Sequence, residues 1–346
     1  MLDLGRTNDT VSTAELVTQL TELVEMADGS DIEAVYCGEH HAHEFTIAPN
    51  PFQLLAYWAS QFRRVRLGTA VVCAPYWHPI KLAGEAGLLD VLSRGRCDLG
   101  VGRGAYPYEF ARMANGMTSD VARETLEEML HCLRGLWAGN YTHDGAHWSF
   151  PSATSTPRPV EAEGPPLLVS ARHPDVFRMA VENRCHVMVA PLDMPFDEVI
   201  SLRERLDAAT ANAANGWQPD MMVVRDAAVY DDPAERRAIV DQKKDTGRYF
   251  DSLFRTEGKV DYGFVQPVEL KAGADDDDAL WQNNVFGTPD EVIQKLKQYE
   301  AAGTDVFVYG ATWGLDWARE KRSFQLFLDE VLPAFTRDDV TASGHG

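Results

Sequence analysis

The chain has no run of 18 or more apolar residues, so nothing in it reads as a membrane-spanning helix. The opening residues Met1 to Arg6 show neither the basic start nor the apolar core of a secretory signal, which makes the cytoplasm the expected location. Basic residues are in the minority: 32 Lys and Arg stand against 53 Asp and Glu, a formal net charge of −21 over 346 residues. A surface of that sign repels phosphate backbones and anionic lipid, so neither nucleic acid nor membrane is an expected partner. Cysteine is scarce. The five are Cys37, Cys73, Cys97, Cys132 and Cys185, odd in number, widely spaced and never in a CxxC pair, which indicates neither disulfides nor a zinc site. The chain also lacks a Walker loop, a GxGxxG fingerprint, an HExxH helix and a nucleophile elbow.

What it does have is an ordinary globular composition, 45% hydrophobic and 25% charged, and a steady alternation of two patterns. Short β-branched runs with little polar alternation occur at 32–38, 65–73, 97–101, 167–171, 187–190, 221–230 and 305–309, as expected of parallel strands buried on both faces. Between them lie helix starts. Ser12-Thr13-Ala14-Glu15 and Thr288-Pro289-Asp290-Glu291 fit the capping box, and Pro51, Pro79, Pro174, Pro233 and Pro289 stand where a first helical residue costs no hydrogen bond. Gly303 reads as a helix stop.

This alternation predicts an α/β fold, a (β/α)8 TIM barrel with insertions forming a single domain over 1–346. Two stretches break the pattern. Residues 140–164 read as a hairpin and a surface loop, and the acidic, glycine-containing stretch 257–284 as a lid or a solvated spacer rather than a buried element. The first strand is expected to be short or truncated, because the polar turn 6–10 follows almost at once; the tail 337–346 is expected to be disordered.

Barrel active sites lie at the C-terminal ends of the strands. After the second strand come Glu39-His40-His41-Ala42-His43-Glu44, where metal binding competes with an active-site cluster; the adjacent histidines diverge at a strand end, and no metal site is assigned. After the third come Tyr76-Trp77-His78-Pro79, an aromatic wall. After the fourth, Gly100-Val101-Gly102-Arg103-Gly104 offers open backbone and a fixed cation. After the fifth, Arg172-His173-Pro174 opens a helix whose amino end suits a phosphate, so Arg103 and Arg172 form a phosphate corner or two surface salt bridges. A phosphate corner, aromatic loops and histidines without a metal point to an enzyme built around an organic cofactor.

Several of these stretches, taken together and in order, resemble the bacterial luciferase-like flavin monooxygenases. They are Glu39-His40-His41, Leu67-Gly68-Thr69-Ala70, His78-Pro79, Asp90-Val91-Leu92-Ser93-Arg94-Gly95-Arg96, Gly100 to Gly104, Gly287-Thr288-Pro289-Asp290-Glu291 and Ala302-Gly303-Thr304. The resemblance implies a two-component monooxygenase that uses reduced FMN, supplied by a separate NAD(P)H-dependent reductase, and O2 to oxygenate a small hydrophobic substrate through a flavin hydroperoxide. It implies His40 as the catalytic histidine, a non-proline cis peptide at Ala70–Val71 under the flavin, and Arg103 on the FMN phosphate. Glu39, Thr69, Gly102, Arg172 and His173 complete the expected cofactor contacts, though Arg172-His173-Pro174-Asp175 replaces a Ser/Thr-rich phosphate loop and Gly102 replaces luciferase's reactive cysteine. Trp77, Tyr106, Tyr108, Phe110 and Trp313 are expected to form the substrate wall. The alternatives are a deazaflavin-dependent oxidoreductase and a flavin-binding protein without turnover. A homodimer is expected as well: Ala83, Gly84, Ala86 and Gly87 put two costly glycines in one helix, and close approach by a second copy is one reason for them, packing within the barrel the other.

Overall fold

The computed structural model describes residues 2–3, 11–255, 258–271, 273–274 and 276–335; the expected turn at 6–10 and tail at 337–346 lie outside them. Eight parallel strands form the centre: β1 (Leu2–Asp3), β2 (Ala34–Cys37), β3 (Arg66–Thr69), β4 (Cys97–Gly102), β5 (Leu167–Ser170), β6 (His186–Val189), β7 (Met221–Val229) and β8 (Val306–Gly310). Each pairs with its successor, and β8 returns to β1 through Leu2↔Gly310, so the sheet closes into the expected barrel. The first strand is indeed short, and two residues suffice because Leu2 pairs on both sides, with Tyr36 and with Gly310.

Around the barrel run α1 (Thr13–Asp28), α2 (Pro51–Ala59), α3 (Pro79–Ser93), α4 (Pro107–Met113), α5 (Ser119–Ala138), α6 (Pro174–Glu182), α7 (Phe196–Ala211), α8 (Glu235–Phe254), α9 (Asp277–Asn283), α10 (Pro289–Ala301) and α11 (Trp317–Leu326). The local signals explain the boundaries. Ser12 caps α1 by accepting from the Glu15 amide at 3.2 Å, and the Glu291 carboxylate accepts from the Thr288 amide at 2.8 Å. Four of the five marked prolines open helices; Pro233 instead precedes α8 by two residues. All five cysteines are free and buried.

Odd and even strand positions separate cleanly. Val35, Leu67, Leu99, Val169, Val187 and Val223 face the helices in the main core. Tyr36, Leu168, Met188, Met222 and Val308 fill the lumen, with Ala70 and Val224 at the edge of that plug. Gly68 is small for a plain reason: a Cβ there would lie 2.5 Å from the Tyr36 ring and 3.0 Å from Asp98. Asp98 in turn accepts from Arg66 Nη2 at 2.6 Å, closing the lumen below with a half-buried ion pair.

Two expectations need correction. The stretch 258–284 is not a mere spacer: it forms a small hairpin (Val260–Asp261 with Phe264–Val265) and then α9, which buries Leu280 and Trp281 despite its acidic start. The α3 glycines serve this chain itself. A Cβ on Gly87 would lie 2.6 Å from the Pro157 carbonyl oxygen, and one on Gly84 3.3 Å from that of Thr156, where the loop after the 141–153 hairpin crosses the helix. Their size therefore carries no argument for a second copy. Gly87→Ala is expected to lower stability by about 1–3 kcal/mol through overpacking, outweighing the roughly 1 kcal/mol gained in helix propensity, with no change in oligomeric state. Urea unfolding and light scattering of the variant check both halves.

Candidate active site

The polar loop after β2 turns back at Ala42, whose φ of 61° is held in part by the Tyr108 hydroxyl donating to its carbonyl at 3.1 Å. The turn brings the His40 and His43 rings to 5.2 Å of each other. Both face Glu109, an α4 carboxylate that is 1% exposed. Its Oε1 lies 3.2 Å from His40 Nδ1, accepts from the His41 amide at 2.6 Å, and stands 3.3 Å from His43 Nε2, off the hydrogen-bonding angle. Burial would raise the Glu109 carboxyl, but the His40 hydrogen bond, the adjoining His43 ring and the His41 amide together carry it down to about 2. An ionised carboxylate only accepts, so His40 donates from Nδ1, and in the neutral ring Nε2 is then the acceptor.

Glu109 escaped the sequence reading. An acid in the first turn of a helix reads as a partner of the helix dipole, and only its aromatic neighbours Tyr106, Tyr108 and Phe110 drew notice. The hint lay in that same run, because a carboxylate among aromatics needs a buried donor.

Glu39 plays a different part. It is 2% exposed, and its two oxygens accept from the Cys73 amide at 2.7 Å, the Trp77 indole at 2.9 Å and His41 Nε2 at 2.6 Å. It ties the loop after β2 to the segment after β3. That segment contains the expected cis peptide, Ala70–Val71. Thr69 is spent on the neighbouring strand, its hydroxyl donating to the Gly100 carbonyl at 2.8 Å and accepting from the Gly100 amide at 2.9 Å. The β4 glycines are closed rather than open to a ligand: a Cβ would lie 2.1 Å from the Thr69 carbonyl oxygen at Gly100 and 2.6 Å from Val71 at Gly102.

Arg103 and Arg172 part company. Arg172 pairs with Glu198 at 3.5 Å on an exposed surface, and His173 caps α6 by accepting from the Asp175 amide at 3.3 Å. Arg103 has no carboxylate within 4.0 Å among the described residues, and donates only to the Ser119 hydroxyl at 3.1 Å. Ser119 opens α5, a helix of 20 residues, so the guanidinium lies at the positive end of a helix dipole. Burial and the neighbouring Arg123 lower its pKa, with Asp120 opposing them. The buried Tyr76 hydroxyl, without a hydrogen-bond partner among the described residues, lies against the next residue: a Cβ on Gly104 would be 3.4 Å from it. A cation without a carboxylate partner among the described residues, at a helix N-terminus, fits the phosphate end of a nucleotide-like cofactor.

The expected substrate wall is brought together only in part. The Tyr106 ring is 5.0 Å from His40 and 4.9 Å from Phe254 of α8, and burial with the Glu109 charge holds its phenol protonated. Phe45, Tyr106, Leu253 and Val265 form one apolar cluster, and Glu44 accepts from the Val265 amide at 2.9 Å, so α8 and the 260–265 hairpin roof the histidine loop. Phe110 packs under Gly104, and Tyr108 stacks beneath the Arg112 guanidinium at 3.4 Å. Trp77 turns into the core. Trp313 lies with the ends of β7 and β8, its indole donating to the Ala227 carbonyl at 3.0 Å. Among the described residues no helix is long and apolar enough to cross a membrane.

Comparison with known proteins agrees with this geometry. The luciferase-like monooxygenase family matches residues 1–306. A flavin-dependent trigonelline monooxygenase, oxygenase component, from Acinetobacter baylyi is 38% identical over 341 residues, 97% of this chain and 95% of the relative. Among solved structures, the monooxygenase RslO1 from Streptomyces bottropensis superposes with a TM-score of 0.82 at 26% identity, over 96% of this chain and 98% of that one. The oxygenating constituent of 3,6-diketocamphane monooxygenase from Pseudomonas putida, solved in complex with FMN, has a TM-score of 0.77 at 20% identity over 96% and 97%, and so shares the fold. With a barrel closed by a two-residue strand, a histidine held on a buried glutamate at its mouth and an arginine without a carboxylate partner among the described residues on a helix N-terminus, the chain belongs to the luciferase-like monooxygenases, flavin-dependent oxidoreductases.

Proposed function

We propose that this chain is the oxygenase of a two-component system, taking reduced FMN from a separate NAD(P)H-dependent reductase and using O2 to oxygenate a small organic substrate. The observation that carries the reading is the Glu109–His40 pair, which commits Nδ1 to the carboxylate and leaves Nε2 without a partner among the described residues. Arg103, with the amino end of α5, would hold the FMN phosphate; the segment at Ala70–Val71 would lie under the ring system. Bound there, reduced flavin supplies the two electrons that activate oxygen.

The protein's own share is threefold. His40 Nε2 holds or passes a proton beside the reacting centre. Tyr106, Phe45 and the α8 aromatics exclude water under the roof. Glu39 fixes the loop that carries His40 by tying His41 to the segment after β3. Trigonelline, an N-methylated pyridinium carboxylate named in the Acinetobacter relative, is the first substrate to test. A homodimer is part of the proposal, supported by Tyr57 of α2 and Leu88, Val91 and Leu92 of α3, which leave an exposed apolar face.

The test supplies NADH, a generic flavin reductase, FMN, trigonelline and ¹⁸O-labelled O2, with thermal shifts for FMN and for a deazaflavin alongside. The expected result is one labelled oxygen in the product and a rise in melting temperature with FMN but not the deazaflavin. Deazaflavin binding with hydride transfer and no label would replace this reading by that of a deazaflavin oxidoreductase.

A further inference from the structure

We infer that His40, His43 and Glu109 form a binding site for one divalent transition-metal ion of the zinc class, and that an ion bound there takes His40 out of the reaction. The effect on His40 rests on the monooxygenase reading above; the site itself does not. Spacing along the chain hides it. The adjacent His40 and His41 diverge, His41 reaching Glu39 at 2.6 Å. The turn at Ala42 instead sets His43 beside His40, and α4 brings Glu109 to both.

The donor atoms are spaced for an ion. A tetrahedral centre with bonds of about 2.0–2.1 Å holds its ligand atoms about 3.3–3.4 Å apart. Glu109 Oε1 lies 3.2 Å from His40 Nδ1 and 3.3 Å from His43 Nε2, and all three atoms lie within 4.8 Å of one another. His43 gives an independent sign. Its side chain is fully buried, yet Nε2 has no hydrogen-bond partner among the described residues, because Oε1 stands off its hydrogen-bonding angle. An ion lying between that nitrogen and the oxygen completes both. No Lys or Arg among the described residues comes within 4.0 Å of Glu109, so no fixed cation competes for it. The His41 amide, at 2.6 Å, uses one lone pair of Oε1 and steadies the carboxylate, and the ion takes the place of the His40 proton on the other.

Two imidazoles and a carboxylate are the donor set of zinc and its first-row neighbours, whereas magnesium and calcium take oxygen ligands. Phe45, Tyr106 and Tyr108 surround His43, each with its ring centroid 6.0 Å away, an apolar shell that lowers the local dielectric. His40 is the exposed member at 19%, so the ion enters on its side. There is one cost. His43 Nδ1 accepts from the Phe45 amide at 3.4 Å, and ligation at Nε2 moves the ring proton to Nδ1. One long hydrogen bond is a small loss against the metal bonds gained. At His40 the proton moves the other way, from Nδ1 to Nε2, so Nε2 can no longer accept one.

The rival is a metal-free cluster in which His43 only fills space beside Glu109. The full-length protein is titrated calorimetrically with Zn²⁺, with and without FMN. Wild type is expected to bind one ion per chain, undisturbed by Mg²⁺ in about a hundredfold excess. His43→Ala and Glu109→Gln should each weaken Zn²⁺ by about 30-fold or more, while His143→Ala, whose ring pairs with Glu128 at 2.8 Å on the distant hairpin, should stay within about twofold. Co²⁺ gives a readout that needs no variant to fold: wild type should show the intense visible bands of a four-coordinate ion. No saturable binding, unchanged affinity in folded His43→Ala, or the weak Co²⁺ bands of a six-coordinate ion overturns the site. With Zn²⁺ bound, FMN affinity should hold within about threefold and product formation fall by about tenfold or more, recovering with a chelator; product formation unchanged overturns the effect on His40. A metal-free wild type that neither binds FMN nor forms product sinks the oxygenase reading and leaves the metal site standing.

Discussion

His40→Ala is expected to bind FMN within a few-fold of wild type and to lose product formation by about 10²–10⁴, the usual cost of a positioned acid–base group. The argument is geometric. Nδ1 is committed to a carboxylate that stays ionised down to about pH 2, so Nε2 is the nitrogen left to face the reacting centre. Glu109→Gln retains the volume but offers an amide that can donate, which frees the ring to take the other tautomer; product formation should fall in this variant too, with FMN affinity kept. The pair also leaves a mark on stability. Because the folded-state value of Glu109 lies below the ordinary 4.5, its contribution is complete above that pH and is lost as the pH falls from about 4.5 towards 2. Wild type should therefore lose more stability than Glu109→Gln between pH 6 and pH 3 in urea titrations. Product formed per O2 consumed is the decisive measurement for His40; a ratio unchanged in His40→Ala would end the proposed role.

The barrel was legible because parallel strands buried on both faces leave near-continuous apolar runs. Seven of the eight barrel strands announced themselves in that way, and β1 did not because two residues carry no pattern. Helix starts were legible from local chemistry, as at Ser12 and Thr288. The site was less so. His40 stood out among clustered histidines, but Glu109 lies 69 residues away and acquires meaning only when the barrel brings α4 against the loop after β2. The glycines misled for the same reason. Gly84, Gly87, Gly100 and Gly102 each answer to an atom of their own chain, on Thr156, Pro157, Thr69 and Val71, and spacing along one helix or strand says nothing about which distant segment crosses it. Arg172 and Arg103 looked alike in sequence; the structure separates them by what lies near, a carboxylate for one and a helix N-terminus for the other.

That difference sets the second large effect. If Arg103 clamps a phosphate, Arg103→Ala should weaken FMN by about 10- to 100-fold, as expected for a charge-assisted hydrogen bond of roughly 1.5–3 kcal/mol, while riboflavin, which lacks the phosphate, should change by less than about twofold. The locality favours an anion despite the net charge of −21. Arg103 and Arg123 supply two cations against the single Asp120, which Arg123 already holds at 2.9 Å, and the α5 amino end adds its dipole. Arg172→Ala serves as the comparison. Its guanidinium is exposed and paired with Glu198, so its removal should cost FMN less than Arg103→Ala does. Salt gives a further readout: raising ionic strength should weaken FMN more than riboflavin in wild type, and that difference should shrink in Arg103→Ala. Equal weakening of FMN and riboflavin in Arg103→Ala would mean that the arginine only braces Ser119 at the start of α5, and the phosphate would have to be sought at the amino end of α6, beside His173.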